Sequence, residues 1–190
     1  MKALLALALL LSVTLAFGQT RVRGTITSLQ ADVLLVRSRD GQSLKLKLPA
    51  EVSVSTARAA TLAELKEVYV GATAVQKDGR LVALEVHTLP RQAKPGHRPS
   101  DLQPGSTTTN ATLEGIARVS GGNEIMLSYP GGTQSILVPD GTPVVRFQPG
   151  SRADLKPGEH IFAVATRSPG DGMLVAPRLS VSKDGVRPSH

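Results

Sequence analysis

The chain contains no cysteine and no tryptophan among its 190 residues, and only 3% of them are aromatic. Without cysteine there is no disulfide, no thiolate metal site and no cysteine nucleophile. Proteins that hold single-stranded nucleic acid need aromatic stacking platforms as well as a basic groove, and this chain offers few such platforms. We therefore expect no nucleic-acid partner, and a fold held together by burial and hydrogen bonds alone.

Long hydrophobic runs are also scarce. One lies at the start, where Met1-Lys2 precedes an almost wholly apolar stretch and Ala16-Phe17-Gly18 places small residues at a cleavage site. This pattern predicts a signal peptide over residues 1–18, cleaved after Gly18, and a periplasmic or secreted protein. A membrane anchor is the alternative, but the run falls short of the roughly 18 residues that indicate a spanning helix. No second such run follows, so we do not expect an integral membrane protein, and a multi-span permease is excluded.

Acidic residues are the minority, since 22 Lys and Arg against 15 Asp and Glu give a formal net charge of +7. A basic exported protein suits anionic partners such as lipopolysaccharide, anionic lipid or acidic polysaccharide. Lys45 and Lys47, with Arg37 and Arg39 on the preceding predicted strand, form a candidate anion surface. The alternative is that these four residues simply form a solvated strand face.

An internal repeat is the strongest pattern that the sequence does contain. Residues of about 21–88 and about 112–183 follow one order of strand and turn signals. Gly24-Thr25-Ile26 matches Gly115-Ile116-Ala117, and Leu65 matches Leu155. A period of roughly 90 residues is far longer than that of a solenoid, so each copy is expected to be a small domain in its own right.

Each copy shows five or six short strand patterns and one helical turn. Leu44, Leu46 and Leu48 alternate with polar residues, which is typical of a strand with one buried and one solvated side. Thr61 and Ser151 each stand three residues before an acidic residue, as in a capping box. Together these patterns predict an all-β protein made of two tandem small OB-like β-barrels. The predicted core of the first barrel consists of Ile26, Leu35, Leu46, Val54, Leu65, Ala74 and Val86.

The predicted domain bounds follow from the repeat. The first barrel covers residues 19–89 and the second covers residues 112–183, with a Pro/Gly-rich linker over residues 90–111 and a tail over residues 184–190.

The linker is expected to pack back on a barrel, because its prolines lower the entropy lost on ordering, and a plain flexible connector is the alternative. Arg98 offers a planar fork for a carboxylate or for backbone carbonyls. Asp101 is predicted to cap the turn at Leu102-Gln103. His97, Arg98 and Asp101 are therefore weak ligand-site candidates, in a cleft between the two domains.

The two-copy layout, the turn Leu155–Gly158, and the linker motif His97–Leu102 followed by Ser106–Thr112 resemble a family of exported bacterial proteins. This family consists of uncharacterised tandem small β-barrel repeats, and its members are often labelled metal ABC transporter permeases. The resemblance covers nearly the whole mature chain. It implies the two-barrel fold and no particular activity. Related sequences tend to carry Trp at the position of Ser100, so any docking role of that ring is absent here.

No motif for catalysis or for metal binding is present. The histidines form no His-X-His or His-X-X-X-His pair, and both a calcium loop and a Gly-X-Ser-X-Gly elbow are missing. We therefore predict no catalytic residue, no metal ligand and no cofactor. The four histidines are His87, His97, His160 and His190.

The sequence as a whole favours a non-enzymatic, exported binding or interaction module. Its expected partner is an anionic envelope component or an envelope protein. Two alternatives stay open: a metal or small-ligand accessory protein of an envelope transport system, and an enzyme with its site at the junction of the barrels.

Overall fold

The computed structural model describes residues 19–188 and is all-β. The predicted signal peptide over residues 1–18 and its cleavage after Gly18 lie outside the described residues. Within the described part of the chain, no helix has the length and apolar character needed to cross a membrane. The thirteen strands are β1 (Gln19–Gln30), β2 (Val33–Ser38), β3 (Ser43–Lys47), β4 (Ser53–Ala59), β5 (Tyr69–Lys77), β6 (Arg80–Thr88), β7 (Gly96–Pro99), β8 (Ser106–Val119), β9 (Gly122–Tyr129), β10 (Gly132–Pro139), β11 (Val144–Pro149), β12 (His160–Arg167) and β13 (Leu174–Ser182).

Twelve of these strands lie side by side in one continuous sheet, and β7 pairs with β8 beside it. The order is β10-β9-β8-β5-β6-β11-β4-β13-β12-β1-β2-β3. Each end of this path turns back on the sheet, because two-residue parallel pairings join β3 to β13 and β10 to β6. The pairings therefore close two five-stranded rings. The first ring consists of β1, β2, β3, β13 and β12, and the second consists of β5, β6, β10, β9 and β8.

The rings do not follow the two repeats. The first ring takes three strands from the N-terminal repeat and two from the C-terminal repeat. The second ring takes two strands from the N-terminal repeat and three from the C-terminal repeat. Two tandem barrels, one for each of residues 19–89 and 112–183, are therefore not confirmed. The alternation of apolar and polar residues sets which face of each strand is buried. The same faces would be buried whether β5 and β6 complete the first ring or, as observed, β12 and β13 do, so alternation does not distinguish the two arrangements.

The chain passes between the rings along β4 and β11. β4 pairs in parallel with β13 of the first ring and antiparallel with β11, while β11 meets β6 of the second ring. After β4, the 3-10 helix Ala63–Leu65 leads into the second ring, and after β11 the 3-10 helix Arg152–Asp154 leads back into the first. The two repeats have therefore exchanged their last two strands.

Two separate cores match the two rings. Of the seven residues predicted to form one core, Ile26, Leu46 and Val54 lie in the first cluster, whereas Leu65, Ala74 and Val86 lie in the second. The first cluster contains Val22, Ile26, Leu34, Val36, Leu46, Leu48, Val54, Leu155, Ile161, Ala163, Ala165, Leu174, Ala176, Leu179 and Val181. The second contains Leu65, Val70, Ala72, Ala74, Ala83, Val86, Ala111, Leu113, Ile125, Leu127, Ile136 and Val138.

One predicted core residue, Leu35, is wrong. β2 buries Leu34 and Val36, and Leu35 lies on the opposite, partly exposed face. The run Val33–Val36 is apolar without alternation, so its pattern does not show which face is buried. In β3, by contrast, Leu46 is fully buried while Lys45 and Lys47 are exposed, as the alternation predicts.

The matched positions of the repeats are only partly equivalent in packing. Leu65 and Leu155 follow the two capped turns and each is buried in a different core. The two glycines of the other matched pair differ. A Cβ on Gly24 would overlap the Arg37 carbonyl oxygen, whereas the nearest atom to a Cβ on Gly115 would be Met126 Cβ at 3.8 Å. Of these two positions, only position 24 requires glycine, because β1 and β2 approach each other closely there.

The linker packs back on the second ring, as predicted. β7 pairs antiparallel with Thr107–Asn110 of β8. The linker is shorter than residues 90–111, because β8 begins at Ser106 and pairs over its first half with both β5 and β7.

Candidate functional site

A cavity of about 270 Å³ lies on the face of β1, β2 and β12 that points away from the first core, beside the residues that follow β13. We call it the arginine pocket. None of the described residues that line it is acidic. The side chains that matter for its chemistry are Arg23, Thr25, Arg37, Arg39, His160 and Arg187.

Strand register assembles this pocket. β1 lies between β12 and β2, and Thr25 is the register partner of both His160 and Arg37. Side chains of register partners share one face of a sheet, so these three side chains form one row. The next residue on β1, Ile26, points to the other face and into the first core. Gly24 lets β1 approach β2 closely behind this row.

The imidazole of His160 is positioned by hydrogen bonds. Its Nδ1 lies 3.1 Å from Oγ1 of Thr25, and its backbone N–H donates to Ser182 Oγ at 2.7 Å. Ser182 Oγ in turn donates to the carboxylate of Glu159. Burial, and next the Arg187 guanidinium, lower the pKa of His160, although Glu159 opposes the shift. His160 is therefore neutral at pH 7 and leaves the positive charge of the pocket to its arginines.

One of these arginines already has an anionic partner. Arg23 donates from both terminal nitrogens to the two carboxylate oxygens of Asp101, each at 3.1 Å. Its guanidinium also lies over the ring of Phe162, 4.8 Å from the centroid. The hydrogen bonds from Arg23 are the main cause that lowers the pKa of Asp101, and Arg21 at 3.6 Å adds to it.

The other three arginines are not compensated in this way. Arg37, Arg39 and Arg187 are exposed, and their side chains make no hydrogen bond or ion pair with any described residue. Three guanidinium charges therefore surround a cavity whose described lining residues include no carboxylate side chain. Like charges repel one another, and an anion bound among them would offset that repulsion.

The pocket includes part of the predicted anion surface and adds residues that the sequence did not indicate. Arg37 and Arg39 line it, whereas Lys45 and Lys47 lie on β3 outside it. The pairing of β1 with β12 supplies His160 from far along the chain. Alternation around Arg37 was the only signal in the sequence that could point to this site.

The predicted trio in the linker does not form one site. His97 Nδ1 lies 2.8 Å from Thr109 Oγ1, and Arg98 donates to the Lys94 carbonyl at 3.2 Å, one of the partner types predicted for it. His97 and Arg98 are consecutive in β7, so they point to opposite faces. Asp101 reaches across to Arg23 of the first ring.

Asp101 does not cap the turn that follows it. The Leu102 N–H donates instead to Ser100 Oγ at 3.3 Å. That prediction is wrong because Arg23 and Arg21 of β1 engage the carboxylate instead. Asp101 thus ties the linker to the first ring, while β7 ties it to the second.

His97 lines a second cavity, of about 510 Å³, beside the second ring. Its charges are balanced, since Arg80 lies 3.7 Å from Glu124 and Ser135 Oγ donates to Glu124 at 2.7 Å. This cavity offers mixed polar groups without an excess of either charge. It does not single out a class of ligand.

Between the rings, one acidic side chain is buried. Glu85 Oε1 lies 3.1 Å from Nδ1 of His87, and His87 packs edge-on against Phe147 with ring centroids 5.9 Å apart. Among the described residues, Glu85 is the only acidic residue classed as buried. A junction enzyme would be favoured by a cluster of buried carboxylates, and residues 19–188 do not contain one.

No metal centre is seen in the part of the chain that the structure covers, where no group of three or more histidine and acidic side chains is placed to hold an ion. Comparison of the chain with models of protein families, with curated proteins and with solved structures finds no match. The arginine pocket therefore has to be interpreted from its own chemistry.

Proposed function

We propose that the protein is an exported, non-enzymatic binding module that holds an anionic ligand in the arginine pocket. The observation that carries this proposal is the set of three exposed guanidiniums, Arg37, Arg39 and Arg187, around a cavity with no acidic side chain among its described lining residues. Planar guanidinium forks suit oxyanions in particular. The anionic envelope partner expected from the net charge fits this pocket.

Two further elements belong to the proposal. Export is supported by the charged start, apolar run and small-residue cleavage site of residues 1–18. Each five-stranded ring with its capped turn is proposed to be a small OB-like barrel, in line with the family that the sequence resembles. The mature N-terminus is expected at Gln19, and mass spectrometry of the exported protein checks it; an intact Met1 contradicts export with cleavage.

The binding proposal is tested by titration calorimetry of residues 19–190 with a panel of small anions. The double variant Arg39→Gln, Arg187→Gln should lose binding that the unchanged protein shows. Arg178→Gln is the matched control, because Arg178 is an exposed arginine of β13 outside the pocket. Equal losses in both variants would mean that anions bind the basic surface without using this site.

A further inference from the structure

We infer that the arginine pocket recognises a phosphomonoester group, in preference to a carboxylate. This inference rests on the proposed function and names the chemical class of its ligand. It concerns the group that the pocket holds, whether a lipid, a sugar or a small soluble molecule carries it.

The first argument is the number of donors. Arg23 shows how one carboxylate is satisfied in this protein, since both oxygens of Asp101 take hydrogen bonds from a single guanidinium fork. A second carboxylate could satisfy one more fork in that way. Three forks remain, on Arg37, Arg39 and Arg187. A phosphomonoester presents three terminal oxygens, which is one for each remaining fork.

The second argument is charge. The three remaining guanidiniums carry three positive charges, and His160 adds none while it is neutral. A carboxylate would compensate one of these charges. A phosphomonoester carries about two negative charges above its second pKa of about 6, so it compensates more of the repulsion among the arginines.

The third argument is the polar wall. A hydrogen bond of 3.1 Å joins Oγ1 of Thr25 and Nδ1 of His160, and its proton comes from either the hydroxyl or the ring nitrogen. When Thr25 donates this proton, Nε2 of the neutral imidazole carries the other and is a donor as well. The cavity of about 270 Å³ has room for more than a bare phosphate, so the ester-linked portion of the ligand also fits.

The test compares phenyl phosphate, phenyl sulfate and benzoate by titration calorimetry at pH 8, where the phosphate ester is a dianion. These probes share the aromatic ring and differ in the charge and in the number of oxygens. We expect phenyl phosphate to bind at least tenfold more tightly than benzoate, with phenyl sulfate between them. Arg39→Gln, Arg187→Gln should weaken phenyl phosphate binding more than tenfold, and Arg178→Gln should leave it unchanged.

The outcomes separate this inference from the proposed function. If benzoate binds as tightly as phenyl phosphate, and the pocket variant still abolishes binding, the preference for phosphate is wrong and the anion-binding function stands. If no probe binds in a way that depends on the pocket arginines, both are wrong. Circular dichroism melts of each variant show that a loss of binding is not a loss of folding.

A second arm identifies the source of the group. Vesicles that contain phosphatidic acid present a phosphomonoester, whereas vesicles with an equal fraction of phosphatidylglycerol present a diester of the same sign. Sedimentation with the first and not the second indicates a lipid source. Binding of phenyl phosphate without binding to either vesicle indicates a soluble or saccharide-linked phosphate.

Discussion

Cleavage of the chain in the linker should not release two folded halves. Arg91 lies between β6 and β7 and is followed by Gln92, so trypsin can separate residues 19–91 from the remainder there. Tandem barrels would survive such a cut as independent domains. In the structure each ring contains strands from both sides of the cut, so we expect the two fragments to stay associated and neither to fold alone.

The size of the effect follows from the first core. The N-terminal fragment contributes seven buried aliphatic side chains to it and the C-terminal fragment contributes the other eight members. Full burial of one large aliphatic side chain stabilises by about 1.5–3 kcal/mol, so the seven represent on the order of 10–20 kcal/mol. A domain is stable by only about 5–15 kcal/mol in total, so losing even half of this burial removes its net stability.

The assay has two parts. Nicked protein is run on a size-exclusion column in buffer and in denaturant, and the fragments 19–91 and 92–190 are also expressed separately and together. We expect co-elution in buffer, separation in denaturant, and a cooperative melt only for the mixed fragments. A cooperative melt and a monomeric folded state for either fragment by itself would refute the exchange of strands between the repeats.

Three further substitutions test the packing and the charges. Leu46→Ala should lower the free energy of unfolding by about 2–5 kcal/mol in urea titrations, and the exposed neighbour Lys45→Ala should change it by less than about 0.5 kcal/mol; equal effects contradict the assigned face of β3. Gly24→Ala should lower the melting temperature clearly and Gly115→Ala should not, because only the first methyl group meets backbone; similar shifts would contradict this difference. Asp101→Asn should cost up to about 1 kcal/mol at pH 7, since the carboxylate is 41% exposed and its ion pairs are screened. The pKa of Asp101 is lower in the folded protein, so this stabilisation is full above the unfolded value of about 3.9 and is lost as pH falls through the folded value; a difference that does not shrink as the pH is lowered below that unfolded value would contradict the ion pair as its cause.

The candidate site was only half visible in the sequence. Arg37 and Arg39 stand on one predicted strand face, so their alternation could be recognised from neighbouring residues. Arg23 lies nearby on β1, the neighbouring strand of the same hairpin. His160 and Arg187 are separated from these arginines by long stretches of chain, and neither carries a motif. They meet because β1 pairs with β12 and because the segment after β13 returns to the same face.

The linker was likewise predictable only in part. Its prolines and Arg98 supported packing against the body of the protein, and β7 confirms it. The partner of Asp101 could not be predicted, because a carboxylate binds whichever cation the fold brings near. Arg23 is 78 residues away in the chain, so no local pattern indicates the pair that it forms with Asp101.

The sequence by itself determined the β class, the approximate position of most strands and the two capped turns, and it predicts the signal peptide. Alternation, turn glycines and capping residues act over a few neighbouring positions, so they can be recognised in a single sequence. The tertiary structure alone decided which strands lie side by side. Backbone hydrogen bonds are the same for any two strands, and the buried face of β12 or β13 is equally apolar against either repeat. Because alternation does not distinguish the two ways of combining the strands, only the tertiary structure shows the exchanged arrangement, which places His160 beside Thr25 and Arg37.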